Sequence, residues 1–167
     1  MPSKKYRHVF LFLLLYLVHS GSLAVSPQGF DQLTLSIMSY SSWPNVQRPV
    51  LCVVNNPEMA MMFEKRVQQS SYPYQILAVS SANFSNNTCH AAYFSDLSVM
   101  QQSHLIQNYP SRRLLSFSQN NMACEIGAIF CLYEHLNRPS FKVNLDALAQ
   151  AQVRVDPRVL LLARNAG

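Results

Sequence analysis

The sequence predicts a single α/β domain: a mostly parallel sheet of about five or six strands flanked by helices, closed by a C-terminal β-hairpin and two short C-terminal helices. Three observations predict it. Short continuous apolar runs of strand length, typified by Val50–Val54, recur along the chain and suit strands buried on both faces. Stretches with helical periodicity and good N-terminal caps separate them. Half of the residues are apolar, 49%, and no internal repeat or low-complexity tract divides them, so one core is expected.

Taken in order, the first periodic segment carries Leu33, Ile37 and Tyr40 at helical spacing, with Asp31 as its candidate cap. The alternation Leu33, Leu35, Ile37 suits a strand equally well, and periodicity leaves the two open. Trp43-Pro44 ends the segment, since the residue before a proline avoids the helical region. Val50–Val54 is the first strand. Asn56 then caps a helix, Pro57 suits its first position, and Glu58 favours its positive end. Met59, Met62, Phe63 and Val67 form the stripe expected to be buried. Tyr74–Val79 reads as a second strand, Ser80–Thr88 as a polar loop, and Cys89–Phe94 as a third strand. Ser95-Asp96 opens a helix with Leu97, Met100, His104 and Leu105 on one side, and Leu114–Phe117 is a fourth strand. Ala128–Tyr133 and Ser140–Val143 form a hairpin joined through Asn137-Arg138-Pro139. Asn144 caps one short helix over Leu145, Leu148 and Ala149, and Asp156-Pro157 opens the last, over Val159, Leu160 and Ala163.

The N-terminus reads as an address. Lys4, Lys5, Arg7 and His8 precede the apolar run Val9–Val18, and Ser22-Leu23-Ala24 offers small residues where a signal peptidase reads. The run falls short of the roughly 20 apolar residues that a membrane crossing needs. Residues 1–24 are therefore expected to be a signal peptide cleaved after Ala24, and residues 25–167 one exported domain without an anchor or a lipid-bearing cysteine. Losing three basic residues lowers the formal charge from +5 to +2. No basic run remains, which argues against nucleic-acid binding.

All four cysteines lie in the exported part. In an oxidising compartment an even count points to disulfides. Zinc and thioredoxin-like chemistry want a CxxC spacing that is absent. The strands holding Cys52 and Cys89 are commonly neighbours in a doubly wound sheet, and Cys124 and Cys131 flank one short segment. The expected pairing is Cys52–Cys89 with Cys124–Cys131.

Catalytic signals are missing. The acidic residues are scattered, and Cys89 and His90, adjacent on a strand, point to opposite faces. His104 reads as a core-edge histidine, and Met59, Met61 and Met62 as core filler. No glycine-rich phosphate loop occurs among only 4 glycines. Asn83-Phe84-Ser85 and Asn86-Asn87-Thr88 are acceptor sites only in a eukaryotic secretory pathway and are read as polar loop residues. No catalytic residue, metal site or cofactor is expected.

Ser39-Tyr40-Ser41-Ser42-Trp43-Pro44 followed by Leu51-Cys52-Val53-Val54, the segment Cys124-Glu125-Ile126-Gly127 through Phe130-Cys131-Leu132, and the stretches Phe141–Asp146, Val153–Leu160 and Leu162-Ala163-Arg164 together resemble the YfiR family of periplasmic proteins. The resemblance spans nearly all of the exported part and is strongest after Cys124. It implies a regulator: a periplasmic repressor of YfiN, an inner-membrane diguanylate cyclase, sequestered in turn by the outer-membrane lipoprotein YfiB. It also implies a homodimer and the same cysteine pairing. By resemblance the partner surface falls around the bridged C-terminal hairpin and the helix after it, with Phe130 and Leu148 as candidate contacts. Lys142 departs from the pattern, standing where relatives often carry an acidic residue. The competing expectation is a periplasmic small-molecule binding module, its ligand at the carboxyl edge of the sheet.

Overall fold

The computed structural model describes residues 29–164; the expected leader and cleavage point lie outside the described residues. Helix α1 covers Phe30–Ser39, so the ambiguous first segment is helical. Gly29, at φ 107°, holds the cap position and Asp31 sits in the first turn, not at the cap. Leu33, Leu35, Ile37 and Met38 are all buried, which satisfies both periodicities at once.

Strand β1 (Ser41–Ser42) follows, then β2 (Val50–Val54), α2 (Pro57–Ser70), β3 (Gln75–Val79) and a 3-10 helix over Ser81–Asn86. Asn56 caps α2 by accepting from the Met59 amide at 2.8 Å. Met59 and Phe63 are buried, and Met62 and Val67 pack partly against them. Beyond lie β4 (Ala91–Phe94), α3 (Val99–Gln107), β5 (Leu115–Ser118), β6 (Phe130–His135), β7 (Arg138–Val143), α4 (Leu145–Gln150), β8 (Arg154–Val155), a 3-10 turn over Pro157–Val159 and α5 (Leu160–Arg164).

The main sheet has the order β3-β2-β4-β5-β6-β7. Its first five strands are parallel, and only the β6–β7 hairpin is antiparallel. Because side chains alternate along a strand, the sheet separates two cores. Leu51, Val53, Tyr93, Phe117, Phe130 and Leu132 join residues of α1 and α2 on one face. Cys52, Val54, Ala92 and Phe94 join Phe84 and Tyr109 on the other. Arg66 of α2 donates to the buried Asp31 of α1 at 2.8 Å, tying the two helices.

Three expectations are corrected. Helix α3 starts not at Ser95-Asp96 but after Ser98, which forms a reciprocal capping box with Gln101; the Ser95 hydroxyl is already engaged by Asn56 Nδ2 at 2.8 Å. The later start turns Gln102 and Ser103 inward and leaves Met100 69% exposed, with His104 on the outside. The hairpin turns at Leu136 and Asn137, both in the left-handed region at φ 49° and 59°. This two-residue turn lengthens the strands, so Arg138 and Pro139 lie in β7, opposite His135 and Glu134. The polar stretch at Ser80–Thr88 is largely helical and anchors the fully buried Phe84. The small antiparallel pair β1–β8, which joins the two ends of the domain, had no periodic signature.

Candidate interaction site

Both cysteine pairs are bridged: Cys52–Cys89 with Cα atoms 5.7 Å apart and Cys124–Cys131 at 5.6 Å. The first joins β2 to the approach of β4. The Tyr109 hydroxyl fixes that approach, accepting from the Cys89 amide at 2.6 Å and donating to the Asn87 carbonyl at 2.8 Å. Burial raises the Tyr109 phenol above its ordinary pKa, opposed by that amide bond. His90, next along, exchanges two bonds with Val50: its amide donates to the Val50 carbonyl at 2.9 Å, and its Nδ1 accepts from the Val50 amide at 3.1 Å. Burial lowers the His90 pKa below 6.5.

The second bridge shapes a surface. Between β5 and β6 the chain makes an irregular loop whose organiser is Asn121, almost fully buried. Its Oδ1 accepts from the Cys124 amide at 3.0 Å and its Nδ2 donates to the Ile126 carbonyl at 2.6 Å. Cys124 takes a left-handed conformation at φ 60° and Gly127 another at φ 88°. Gly127 rests against α3, where an added Cβ would lie 3.7 Å from the Ser103 nitrogen and the Val99 oxygen. Lys142 of β7 secures the outer limb by donating to the Met122 carbonyl at 2.8 Å, and its ammonium lies 5.8 Å from the Tyr133 ring centroid. At the inner limb the Ser116 hydroxyl accepts from the Ile129 amide at 3.0 Å, and the Ile129 carbonyl accepts from the Asn144 amide at 2.8 Å. Asn144 caps α4 through the Ala147 amide at 2.9 Å. The bridged loop and α4 are thus parts of one hydrogen-bonded unit.

That unit presents apolar side chains to solvent: Met122 is 63% exposed, Ile126 50% and Leu145 71%. Ile126 also lines a cleft of about 630 Å³ that opens between the end of α3, Pro110–Arg112, the bridged loop and α4. Arg112, Glu125 and Asp146 place charges of both signs on its walls. Exposed apolar side chains beside charges of both signs are the composition that protein-binding surfaces share.

The two contacts taken from the resemblance fall differently. Leu148 of α4 is half-buried and leans on the main core. Phe130 is fully buried, stacked on Phe117 with centroids 5.5 Å apart and edge-on to Phe141 at the same distance. It offers no surface in this conformation, because the strand that puts Cys131 on the bridged face turns Phe130 to the other. Sequence reasoning missed Asn121, Met122 and Leu145. The signal was there in part: the pair Asn120-Asn121 just before Cys124 is the composition of a side-chain-braced turn.

At the carboxyl edge of the sheet, where the competing expectation placed a small ligand, a cleft of about 440 Å³ opens between Ser81-Ala82, Leu97 and the first turns of α3. At the switch point between β2 and β4, Asn56 Nδ2 bonds Ser95 Oγ, and Asn120 Nδ2 bonds the Ser95 carbonyl. Asn55 Oδ1 accepts from the Ser81 amide at 2.8 Å. These polar groups at the switch point thus satisfy one another. No described helix is long and apolar enough to cross a membrane.

The stretch after Cys124 that carried the resemblance is thus the stretch that builds this surface. The YfiR/HmsC-like family model matches residues 31–164, from the first turn of α1 to the end of α5, and the chain belongs to that family.

Proposed function

We propose that this protein is a periplasmic repressor that binds the periplasmic part of a YfiN-like inner-membrane diguanylate cyclase and holds down cyclic di-GMP synthesis. Membership of the YfiR/HmsC-like family supports the coarser role, a periplasmic regulator of cyclic di-GMP signalling. The observation that carries the finer reading is the bridged loop with α4, a braced unit that exposes Met122, Ile126 and Leu145 to solvent. Residues 1–24 serve as a signal peptide cleaved after Ala24, leaving Val25–Gly167 as a diffusing subunit. A YfiB-like lipoprotein of the outer membrane relieves the repression by competing for the subunit.

Redox sensitivity belongs to the same reading. Reduction of Cys124–Cys131 releases the limb that bears Met122 and Ile126, so repression weakens in reducing conditions. The test is a deletion made with and without a YfiN-like cyclase in the same cell. Cyclic di-GMP rises only in the strain that has the cyclase; an equal level in both deletions would overturn the reading.

A further inference from the structure

Three loops that lead into neighbouring parallel strands meet at the amino edge of the main sheet. They are the turn at Trp43-Pro44 before β2, residues 86–90 before β4 and residues 109–113 before β5. A cleft of about 370 Å³ opens between them, within the size range of small-molecule sites. Residues 109–111 divide it from the cleft beside α4. Its walls are flat and apolar where Trp43, Pro44, Tyr109 and Pro110 line it. Trp43 is only 7% exposed and stands edge to face with the His90 ring, centroids 6.3 Å apart.

The polar groups of this cleft are donors. His90 accepts from the Val50 amide through Nδ1, so its neutral ring carries the proton at Nε2. Among the described residues that Nε2–H meets no acceptor, and the buried indole N–H of Trp43 meets none either. Buried polar groups are paired almost without exception, so an orphaned donor in a cleft wall points to an acceptor supplied from outside. Arg113 brings a full positive charge to the mouth. Among the described residues neither ion pair involves it, and no acidic side chain lines the cleft. The frame is set before anything enters: the Cys52–Cys89 bridge and the two bonds of the Tyr109 hydroxyl hold the segment in front of β4. A preformed wall lowers the ordering cost of binding.

We propose that this cleft binds a small organic carboxylate with a flat apolar body, an arylalkanoate in class. The carboxylate accepts from the Arg113 guanidinium and from His90 Nε2–H, bonds strengthened by charge. The flat body lies against Trp43, Tyr109 and the two proline rings. A free amino acid fits less well, because no carboxylate stands on the walls to take its ammonium. Inorganic phosphate satisfies the donors but leaves the apolar walls uncovered.

Trp43 is the only tryptophan of the chain, so its emission reports on this cleft alone. The experiment titrates the chain without its leader with 3-phenylpropionate, 3-phenylpropanol, L-phenylalanine and inorganic phosphate. The expected result is a saturable change of Trp43 emission with 3-phenylpropionate, and binding at least about tenfold weaker for the other three. Arg113→Gln, on an exposed side chain, should weaken 3-phenylpropionate by about tenfold or more at an unchanged melting temperature, while the distant Lys65→Gln leaves it unaltered. Should Arg113→Gln fail to fold, the four ligands on the unmodified chain decide. No saturation up to about 10 mM, equal affinity for the alcohol, the amino acid or phosphate, or full affinity in folded Arg113→Gln overturns the proposal. None of these outcomes depends on whether a cyclase is the partner.

Discussion

The Tyr109 hydroxyl accepts from the Cys89 amide at 2.6 Å and donates to the Asn87 carbonyl at 2.8 Å, so one side chain satisfies both sides of the segment that carries a disulfide. Tyr109→Phe leaves the buried Cys89 amide without an acceptor. An orphaned buried donor costs about 1–3 kcal/mol. Thermal unfolding of the variant should show that loss with the Cys52–Cys89 bridge still formed. An unaltered melting temperature would mean that water replaces the hydroxyl.

Stability should fall on the acid side through His90. Its folded pKa is lowered by burial, so the unfolded chain takes up the proton first. The contribution is present above about 6.5, the unfolded value, and is lost as pH falls through the folded value. Protonation also removes the Nδ1 acceptor from the Val50 amide. Urea midpoints measured from pH 7 to pH 5 should decline, and His90→Leu should flatten that slope.

On the alkaline side the sign reverses in cause. Burial and the neighbouring Tyr72 push the Tyr74 phenol up to about 12, and burial raises Tyr93 and Tyr109. Their stabilisation is complete below the unfolded value near 10 and disappears as pH rises through the folded values. Spectrophotometric titration at 295 nm (where the phenolate absorbs) should show these tyrosines ionising late and together with unfolding. Ionisation at the ordinary value in a folded chain would contradict their burial.

The two bridges should contribute unequally. From loop-closure entropy, the separations of 37 and 7 residues correspond to roughly 4 and 2.5 kcal/mol. Cys124→Ser with Cys131→Ser should therefore destabilise less, yet open Met122–Ile126 to limited proteolysis while α1 and α2 stay protected. Unchanged cleavage and unchanged repression would show that the hydrogen bonds of Asn121 suffice to hold the loop.

Partner binding is separable from folding. Ile126→Glu and Leu148→Glu place charges at the rim of the bridged unit, the first on an exposed side chain and the second on a half-buried one. Central apolar contacts typically cost about 2 kcal/mol or more when lost from an interface. Titration against the periplasmic part of the cyclase should show that weakening for Ile126→Glu at constant melting temperature. Leu148→Glu should weaken binding and stability together. Equal affinity in both would move the interface elsewhere.

How far the sequence could be read depended on how local the cause was. The cap at Asn56-Pro57 and the run Val50–Val54 were legible because their determinants are neighbours in the chain. The partners Cys52 and Cys89 followed from strand adjacency, and Cys124 and Cys131 from the short segment they flank. Helix α3 was misplaced because Ser95 is consumed by Asn56, a residue thirty-nine positions away, and its buried face shifted with it. Phe130 came from the resemblance as a candidate contact, and the one-residue step from Cys131 along β6 turns it to the buried face. The pair β1–β8 rests on backbone bonds between the two ends of the domain, and two residues on each side carry no pattern to detect. The surface on the bridged loop was half legible: its cysteines were plain, whereas the brace from Lys142 to Met122 needed the fold.

The two faces of the main sheet differ in what holds them. On the α1–α2 side, Phe63 and Tyr93 pack edge to face at 5.0 Å and Phe117 and Phe130 stack, a mass of rings that coheres in any solvent redox state. The α3 side packs rings too, Phe84 against Tyr109 at 4.8 Å and against Phe94 at 5.8 Å, but it also interposes Gln102, Ser103, Ser116 and Ser118, buried and polar, and carries both disulfides. Such a molecule is half mortar and half rivet. Before oxidation one wall should already be finished and the other packed but unfastened, so the order of its maturation is written into the sidedness of its sheet.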